Sequence, residues 1–201
     1  MLGSQTPNPK NSAVFCLVVG ASGAGKTTYL RHNLDRWESL YSRVVVLDAR
    51  GQFSGEIGAM TTRAFVPWLD RGRFGRACVS VVSETEKRIA LAAVWRAENL
   101  LLCVDEMQLY GDAARFLFED MQKIVTEGRS YGLKMISVCQ RPQSVPKLLL
   151  TNLTDVVMLR TNAADGAHLV SRFGREVVDL AATLQPLDYL HAGDNPAVFA
   201  A

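Results

Sequence analysis

The chain has 201 residues, 48% hydrophobic and 21% charged, with 22 Lys and Arg against 20 Asp and Glu for a formal charge of +2. This composition excludes a disordered chain, and the balanced charge excludes a polybasic nucleic-acid coat while leaving room for a local cationic patch. No apolar run reaches the roughly 18 residues of a membrane span, and the polar, proline-containing start MLGSQTPNPKNSA is unlike a signal peptide.

Residues 1–12 read as a flexible arm, and residues 13–201 as a single domain. The continuous apolar run 14–19 (VFCLVV) predicts a strand buried on both faces, and a glycine-rich turn leads from it into a helix over 26–37. A second buried strand is expected at 43–48 (RVVVLD). The stretch 49–76 is rich in glycine, holds Pro67 and has no clear period, so it reads as loop with a short edge strand at most. A strand at 77–82, a helix at 84–98 and a very apolar strand at 99–105 follow. Helix is expected over 112–130, strand over 134–139, helix over 145–152, strand over 155–160 and helix over 164–173. The tail DYLHAGDNPAVFA reads as a hairpin around Gly193–Asn195. Alternating strands and helices predict an α/β fold, a mostly parallel sheet sandwiched between helices and closed by that C-terminal hairpin. Such sheets bind ligands beyond the carboxyl ends of their strands.

The sequence Gly20-Ala21-Ser22-Gly23-Ala24-Gly25-Lys26-Thr27 matches G-x-x-x-x-G-K-[ST], with a buried strand before it and a helix after it. Gly20, Gly23 and Gly25 let the backbone curl so that successive N–H groups point at a phosphate. Lys26 brings a positive charge to the β and γ oxygens, Thr27 offers a hydroxyl to Mg²⁺, and the helix N-terminus adds its dipole. The run Leu100–Val104 followed by Asp105 and Glu106 has the pattern of a strand that presents acids to the metal. Asp105 would face the Mg²⁺ shell, and Glu106 would accept a proton from an attacking water. An acid pair of this kind suits hydrolysis better than transfer to an acceptor hydroxyl. Gln140 closes the 134–139 strand, where an amide can donate to phosphate and accept from water. Arg129, in Glu127-Gly128-Arg129-Ser130-Tyr131-Gly132, is a candidate arginine finger; from the residues alone a helix C-terminal cation favoured by the dipole is the better reading, and Arg141 and Arg160 are rivals. The segment Asp70–Arg76 sets Arg71, Arg73 and Arg76 among glycines, as sequence-independent phosphate tracking requires, and the same composition suits a solvated surface loop.

The four cysteines, Cys16, Cys78, Cys103 and Cys139, lie in apolar runs without CxxC pairing and read as reduced core residues. The histidines His32, His168 and His191 are scattered, which argues against a metal site built from protein ligands alone.

Taken together, GASGAGKTT, VVVLDARGQF, LLLCVDEMQ and GRSYGLKMISVCQRPQSVPKLLLTNLTDVVMLR resemble the HerA/FtsK superfamily of DNA-pumping ATPases over about residues 14–173. The resemblance implies a RecA-like P-loop NTPase fold, with ATP and Mg²⁺ as cofactors. It assigns nucleotide contacts to Gly20 through Thr28, metal contacts to Thr27 and Asp105, and catalytic roles to Lys26, Glu106, Gln140 and Arg129, the last offered to a neighbouring subunit. It further implies a homo-oligomeric ring, hexamer or pentamer, around double-stranded DNA. A bare motor of this length looks most like the genome-packaging ATPases of tailless, membrane-containing icosahedral viruses. That branch implies capsid-vertex or membrane-protein partners and a place in the host cytoplasm or on the virion. Gln52-Phe53 departs from a frequent acidic-aromatic pair after the second strand. Other readings are a cellular pump of the same superfamily, a small-molecule or nucleotide kinase, and an assembly protein that uses nucleotide structurally. No Arg-rich kinase lid is visible, and no Asn-Lys-x-Asp motif for reading guanine occurs.

Overall fold

Runs of valine, leucine and isoleucine without polar alternation form the centre of the molecule, because a strand covered on both faces has no side to give to water. The computed structural model describes residues 13–53, 58–112 and 116–199. Its strands are β1 (Phe15–Val19), β2 (Arg43–Asp48), β3 (Gly75–Ser80), β4 (Leu101–Val104), the short β5 (Gly111–Asp112) and β6 (Phe116–Leu117), β7 (Lys134–Cys139), β8 (Asp155–Leu159) and β9 (Tyr189–Gly193). All but the β5–β6 ribbon join one seven-stranded sheet in the order β3-β2-β4-β7-β1-β8-β9. Every pairing in that sheet is parallel except β8 with β9. The helices are α1 (Lys26–Leu40), α2 (Thr62–Asp70), α3 (Glu84–Ala97), α4 (Glu119–Glu127), α5 (Lys147–Asn152), α6 (Ala163–Gly166), α7 (Val170–Phe173), α8 (Arg175–Thr183) and α9 (Pro196–Phe199).

Side chains of β1 divide between two core layers. Phe15, Leu17 and Val19 join Phe65 of α2, Leu91 of α3, Ile124 of α4 and Val178 of α8 on one face. Cys16 and Val18 join Leu30, Leu34 and Trp37 of α1 and Phe199 of α9 on the other. Each fully buried aliphatic side chain contributes about 1.5–3 kcal/mol, so both layers hold the sheet flat against its helices. The indole N–H of Trp37 donates to the Val198 carbonyl at 3.2 Å and ties α9 to α1. All four cysteines are buried and unbridged, and burial pushes the Cys78 thiol up to about 12.

The α/β sandwich expected from the sequence is present, and β2 and β7 have the expected ends. Several elements differ. The stretch expected to be loop contains α2, which begins at a Thr61 cap and buries Phe65 and Leu69 one turn apart. Pro67 lies inside it, and the cost of a proline in so short a helix is offset by that apolar face. The helix expected over 112–130 shrinks to α4, because β5 and β6 pair as a small antiparallel ribbon ahead of it. The helix expected over 164–173 is broken into α6, a 3₁₀ turn and α7, and α8 follows where none was expected. The C-terminal hairpin is not formed: β9 pairs antiparallel with β8, and Pro196, suited to a first helical position, starts α9. The arm expected at 1–12 lies outside the described residues. Among the described residues no helix is long and apolar enough to cross a membrane.

Candidate functional site

The turn from β1 into α1 lies at the carboxyl edge of the sheet. Gly23 and Gly25 take positive φ of 75° and 103°, a conformation that a side chain would strain. Gly25 occupies the N-cap position of α1 without any side-chain cap, so the first-turn N–H groups stay open to an anion. Lys26 is 8% exposed and folds back over the loop, its Nζ donating to the carbonyls of Gly20 at 2.8 Å and Ala21 at 2.9 Å. Burial lowers its pKa, while Glu106, Cys139 and Asp105 pull the other way. The Thr27 hydroxyl donates to Gln52 Oε1 at 2.7 Å.

Strand β4 ends beside this loop and delivers Asp105 and Glu106 into the same cleft. The cleft has a volume of about 310 Å³, and Lys26, Thr27, Gln52, Asp105, Glu106 and Gln140 are among its walls. Asp105 is 2% exposed, and its Oδ2 has no hydrogen-bond partner. Burial pushes this carboxyl up to about 6, with Glu106 and Asp48 adding to the rise and Arg50 and Lys26 opposing it. A buried carboxylate oxygen with nothing to accept from is costly in water-free surroundings. A hard divalent cation is the ligand that an orphan oxygen beside a threonine hydroxyl fits, so the donor set suits Mg²⁺. Glu106 adopts a left-handed backbone conformation at φ 55° and is held by donors on both oxygens. Gln140 Nε2 reaches its Oε1 at 3.4 Å, Arg50 Nε lies 3.5 Å from the same oxygen, and the Gln108 amide donates to Oε2.

The sequence therefore brought Lys26, Thr27, Asp105, Glu106 and Gln140 to one cleft, with Ser22, Gly23, Gly25 and Thr28 along its wall. Gly20 and Ala21 enter through the carbonyls that hold Lys26, and Ala24 is buried beneath the turn. Arg129 is elsewhere. It stands at the amino ends of the strands, its guanidinium 5.4 Å from the centre of the Phe15 ring and donating to the Asn152 carbonyl at 3.1 Å. Strand β1 separates it from its own phosphate loop by about 15 Å, so it does not reach that loop. Arg141 and Arg160 are exposed at the carboxyl ends of β7 and β8, on the near side. Arg71 and Arg73 are exposed in the α2–β3 turn, whereas Arg76 pairs with Asp35 at 2.9 Å and Glu38 at 3.7 Å of α1. Arg76, expected among the cationic tracking residues, is thus already neutralised within the chain.

Sequence reasoning missed four residues of the site. Arg50 and Gln108 latch Glu106, each two positions past a strand-terminal acid, and Gln52, noted in the sequence only as a departure from a frequent pair, holds the Thr27 hydroxyl from four positions past Asp48. Asp48 organises the turn that carries Arg50 and Gln52, accepting from the N–H groups of Arg50, Gln52 and Phe53 at 3.2, 3.0 and 2.9 Å. An aspartate closing a buried strand was the available signal. Among the described residues no cluster of three or more His, Cys, Asp or Glu could hold a metal ion by itself.

The sequence model of the type IV secretion-system coupling protein DNA-binding domain matches residues 5–167. No curated protein matches the chain by sequence. Among solved structures, the genome packaging NTPase B204 from Sulfolobus turreted icosahedral virus 2, in complex with AMPPCP, superposes with a TM-score of 0.75 at 12% identity, covering 93% of this chain and 94% of that one. The pCW3 conjugation coupling protein TcpA, with ATPgS, gives 0.61 at 12% identity over 91% of this chain and 58% of that one. EccC from Thermomonospora curvata gives 0.56 at 12% identity over 78% and 31%. These likenesses establish an α/β P-loop NTPase fold.

Proposed function

Because the chain belongs to the type IV secretion-system coupling protein DNA-binding domain family, we propose that it is an ATPase that drives double-stranded DNA through a ring of its own copies. The observation that carries this reading is the single cleft in which Lys26, Thr27, the unpartnered Asp105 oxygen and the tethered Glu106 converge. The N–H groups of the Gly20–Thr27 turn hold the phosphates, and Lys26 leaves the Gly20 and Ala21 carbonyls to meet them. Thr27, once it leaves Gln52, and Asp105 would hold Mg²⁺, which when bound neutralises charge on the β and γ oxygens. Glu106 accepts a proton from the water whose oxygen bonds to the γ-phosphorus as the bond to the ADP oxygen breaks. Gln140 positions that water from the end of β7. Arg129 completes the pocket of the adjacent copy, where an arginine supplied in trans is worth about 10³–10⁵ in rate. Arg71 and Arg73 are the cations left to track DNA phosphates.

Within this class we favour a genome-packaging motor. The likeness to the viral packaging NTPase extends over nearly the whole of both chains, while that to the conjugation protein covers 58% of the latter. Capsid-vertex or membrane proteins are the partners this role requires, at the site of virion assembly. A conjugative or cellular DNA pump is the second reading, favoured by the family match itself. ATP hydrolysis per subunit, measured against protein concentration with and without duplex DNA, tests the proposal. The rate should rise with concentration as copies assemble, and duplex should raise it further. A rate independent of both contradicts it, and phosphoryl transfer to a small acceptor would mark a kinase instead.

A further inference from the structure

At the amino ends of the strands, away from the phosphate loop, β7 opens with a lysine. Lys134 is 8% exposed, and the next side chains on its face, Ile136 and Val138, belong to the core layer beneath α1. Among the described residues three lysines are buried: Lys26, Lys87 and Lys134. Lys26 has Glu106 and Asp105 nearby, and Lys87 has Glu84 and Glu86, each holding up a pKa that burial lowers. Burial lowers the Lys134 pKa as well, and no carboxylate opposes the fall. Its ammonium has no hydrogen bond or ion pair with any described residue, and its one polar contact is the Tyr41 ring, whose centre lies 5.5 Å from Nζ. Residues 1–12, which precede the neighbouring β1, contain no Asp or Glu. A buried cation without a counter-charge is costly. Lys134 is also one wall of a hollow of about 200 Å³, shared with Tyr41, Ser42, Asn99, Leu100 and Gly132, and none of its walls is acidic. These walls are tied to one another. The Asn99 N–H donates to the Tyr131 carbonyl at 2.9 Å and the Lys134 N–H to the Leu100 carbonyl at 3.0 Å. Gly132 takes φ of 71° against the Asn99 side chain, where a Cβ would collide. Ser42 and Asn99 are exposed and bring a hydroxyl and an amide, both able to donate, to the same opening.

We propose that this hollow is a binding site for one small oxyanion, a carboxylate or a phosphate, held by the Lys134 ammonium with Ser42 and Asn99 at its mouth. An oxyanion there supplies the charge that Lys134 lacks, and it joins the chain just before β2 and β4 to the start of β7. The site is separate from the nucleotide cleft and does not depend on how that cleft is read. The test unfolds the full chain in urea, in sodium chloride and in sodium phosphate of equal ionic strength, as wild type, Lys134→Met and Lys134→Gln. AMPPCP and Mg²⁺ are present throughout, to keep phosphate out of the phosphate loop. Lys134→Gln keeps a polar end at the opening and serves where Lys134→Met does not fold. Phosphate should raise the wild-type folding constant about tenfold more than that of either variant, since its general salting effect is common to all three. The same chemistry can come from an acidic side chain of a second copy. In that case sedimentation across protein concentrations shows wild type associating about tenfold more tightly than the variants, and added phosphate weakens that association. An equal phosphate response in all three proteins, together with equal self-association, would overturn the site.

Discussion

Two aspartates, buried at opposite ends of the sheet, separate finished structure from an open site. Asp155, 0% exposed at the start of β8, has every acceptor position used. Its Oδ1 lies 2.7 Å from His191 Nε2 and accepts from the Asn195 N–H at 2.9 Å, and its Oδ2 accepts from Thr154 Oγ1 and Asn195 Nδ2, both at 2.6 Å. Burial works against its charge, but these hydrogen bonds outweigh burial and hold its carboxyl below the usual range. Asp105, 2% exposed just past β4, has an oxygen with no partner and a carboxyl pushed up to about 6. Similar burial with opposite titration marks Asp155 as a carboxylate satisfied within the chain. Asp105 is the contrasting case, with an acceptor oxygen that no donor of the described residues meets. Asp155 thereby pins β9 and the 194–195 turn to β8, and Asp105 is left with the free oxygen proposed above to meet Mg²⁺.

The largest expected effect lies at the open end. Glu106→Gln should slow hydrolysis by about 10²–10⁴-fold while nucleotide stays bound, read by steady-state phosphate release and by retained nucleotide after gel filtration. Turnover near wild type would remove Glu106 from the chemistry. Next, Asp155→Asn should destabilise the fold by about 3 kcal/mol in urea unfolding, since it breaks a buried charged network. The depressed Asp155 pKa gives stability that is present above about pH 3.9 and is lost as pH falls through its lower native value. Asp105→Asn should do the reverse and raise stability at pH 7 by about 2 kcal/mol. With its carboxyl near 6, the native state binds more protons than the unfolded chain between about pH 4 and pH 6. Wild-type stability should therefore fall as pH rises through that window, and Asp105→Asn should flatten the fall. The same substitution with the same sign at both sites would break the comparison. The smallest effect concerns Arg76, whose half-solvated pairs with Asp35 and Glu38 are worth about 0.5 kcal/mol. Arg76→Ala should leave the salt dependence of DNA binding unchanged, whereas Arg71→Ala or Arg73→Ala should lower its slope by about 1.

What the sequence made legible follows the same division. The phosphate loop, the acid pair and Gln140 are each local: a turn composition or a strand-terminal residue whose meaning is set within a few positions. The Asp155 network was not legible, because His191 and Asn195 lie 36 and 40 residues away and meet it only through the antiparallel addition of β9. The β5–β6 ribbon was missed because a helix-like composition continued through it, and α2 because Pro67 reads locally as a breaker while Phe65 and Leu69 act through tertiary packing. Arg50 carries no signal at all until the Asp48 turn delivers it to Glu106. Arg129 was legible as a residue type, but its distance from its own loop is a property of the strand length.

The midpoint of urea unfolding with ATP, with and without Mg²⁺, in wild type, Asp105→Asn and Asp155→Asn, tests the division most directly. Mg²⁺ should enlarge the stabilisation by ATP in wild type and Asp155→Asn but not in Asp105→Asn. Stabilisation by Mg²⁺ and ATP that persists in Asp105→Asn, or that disappears in Asp155→Asn alone, would contradict it.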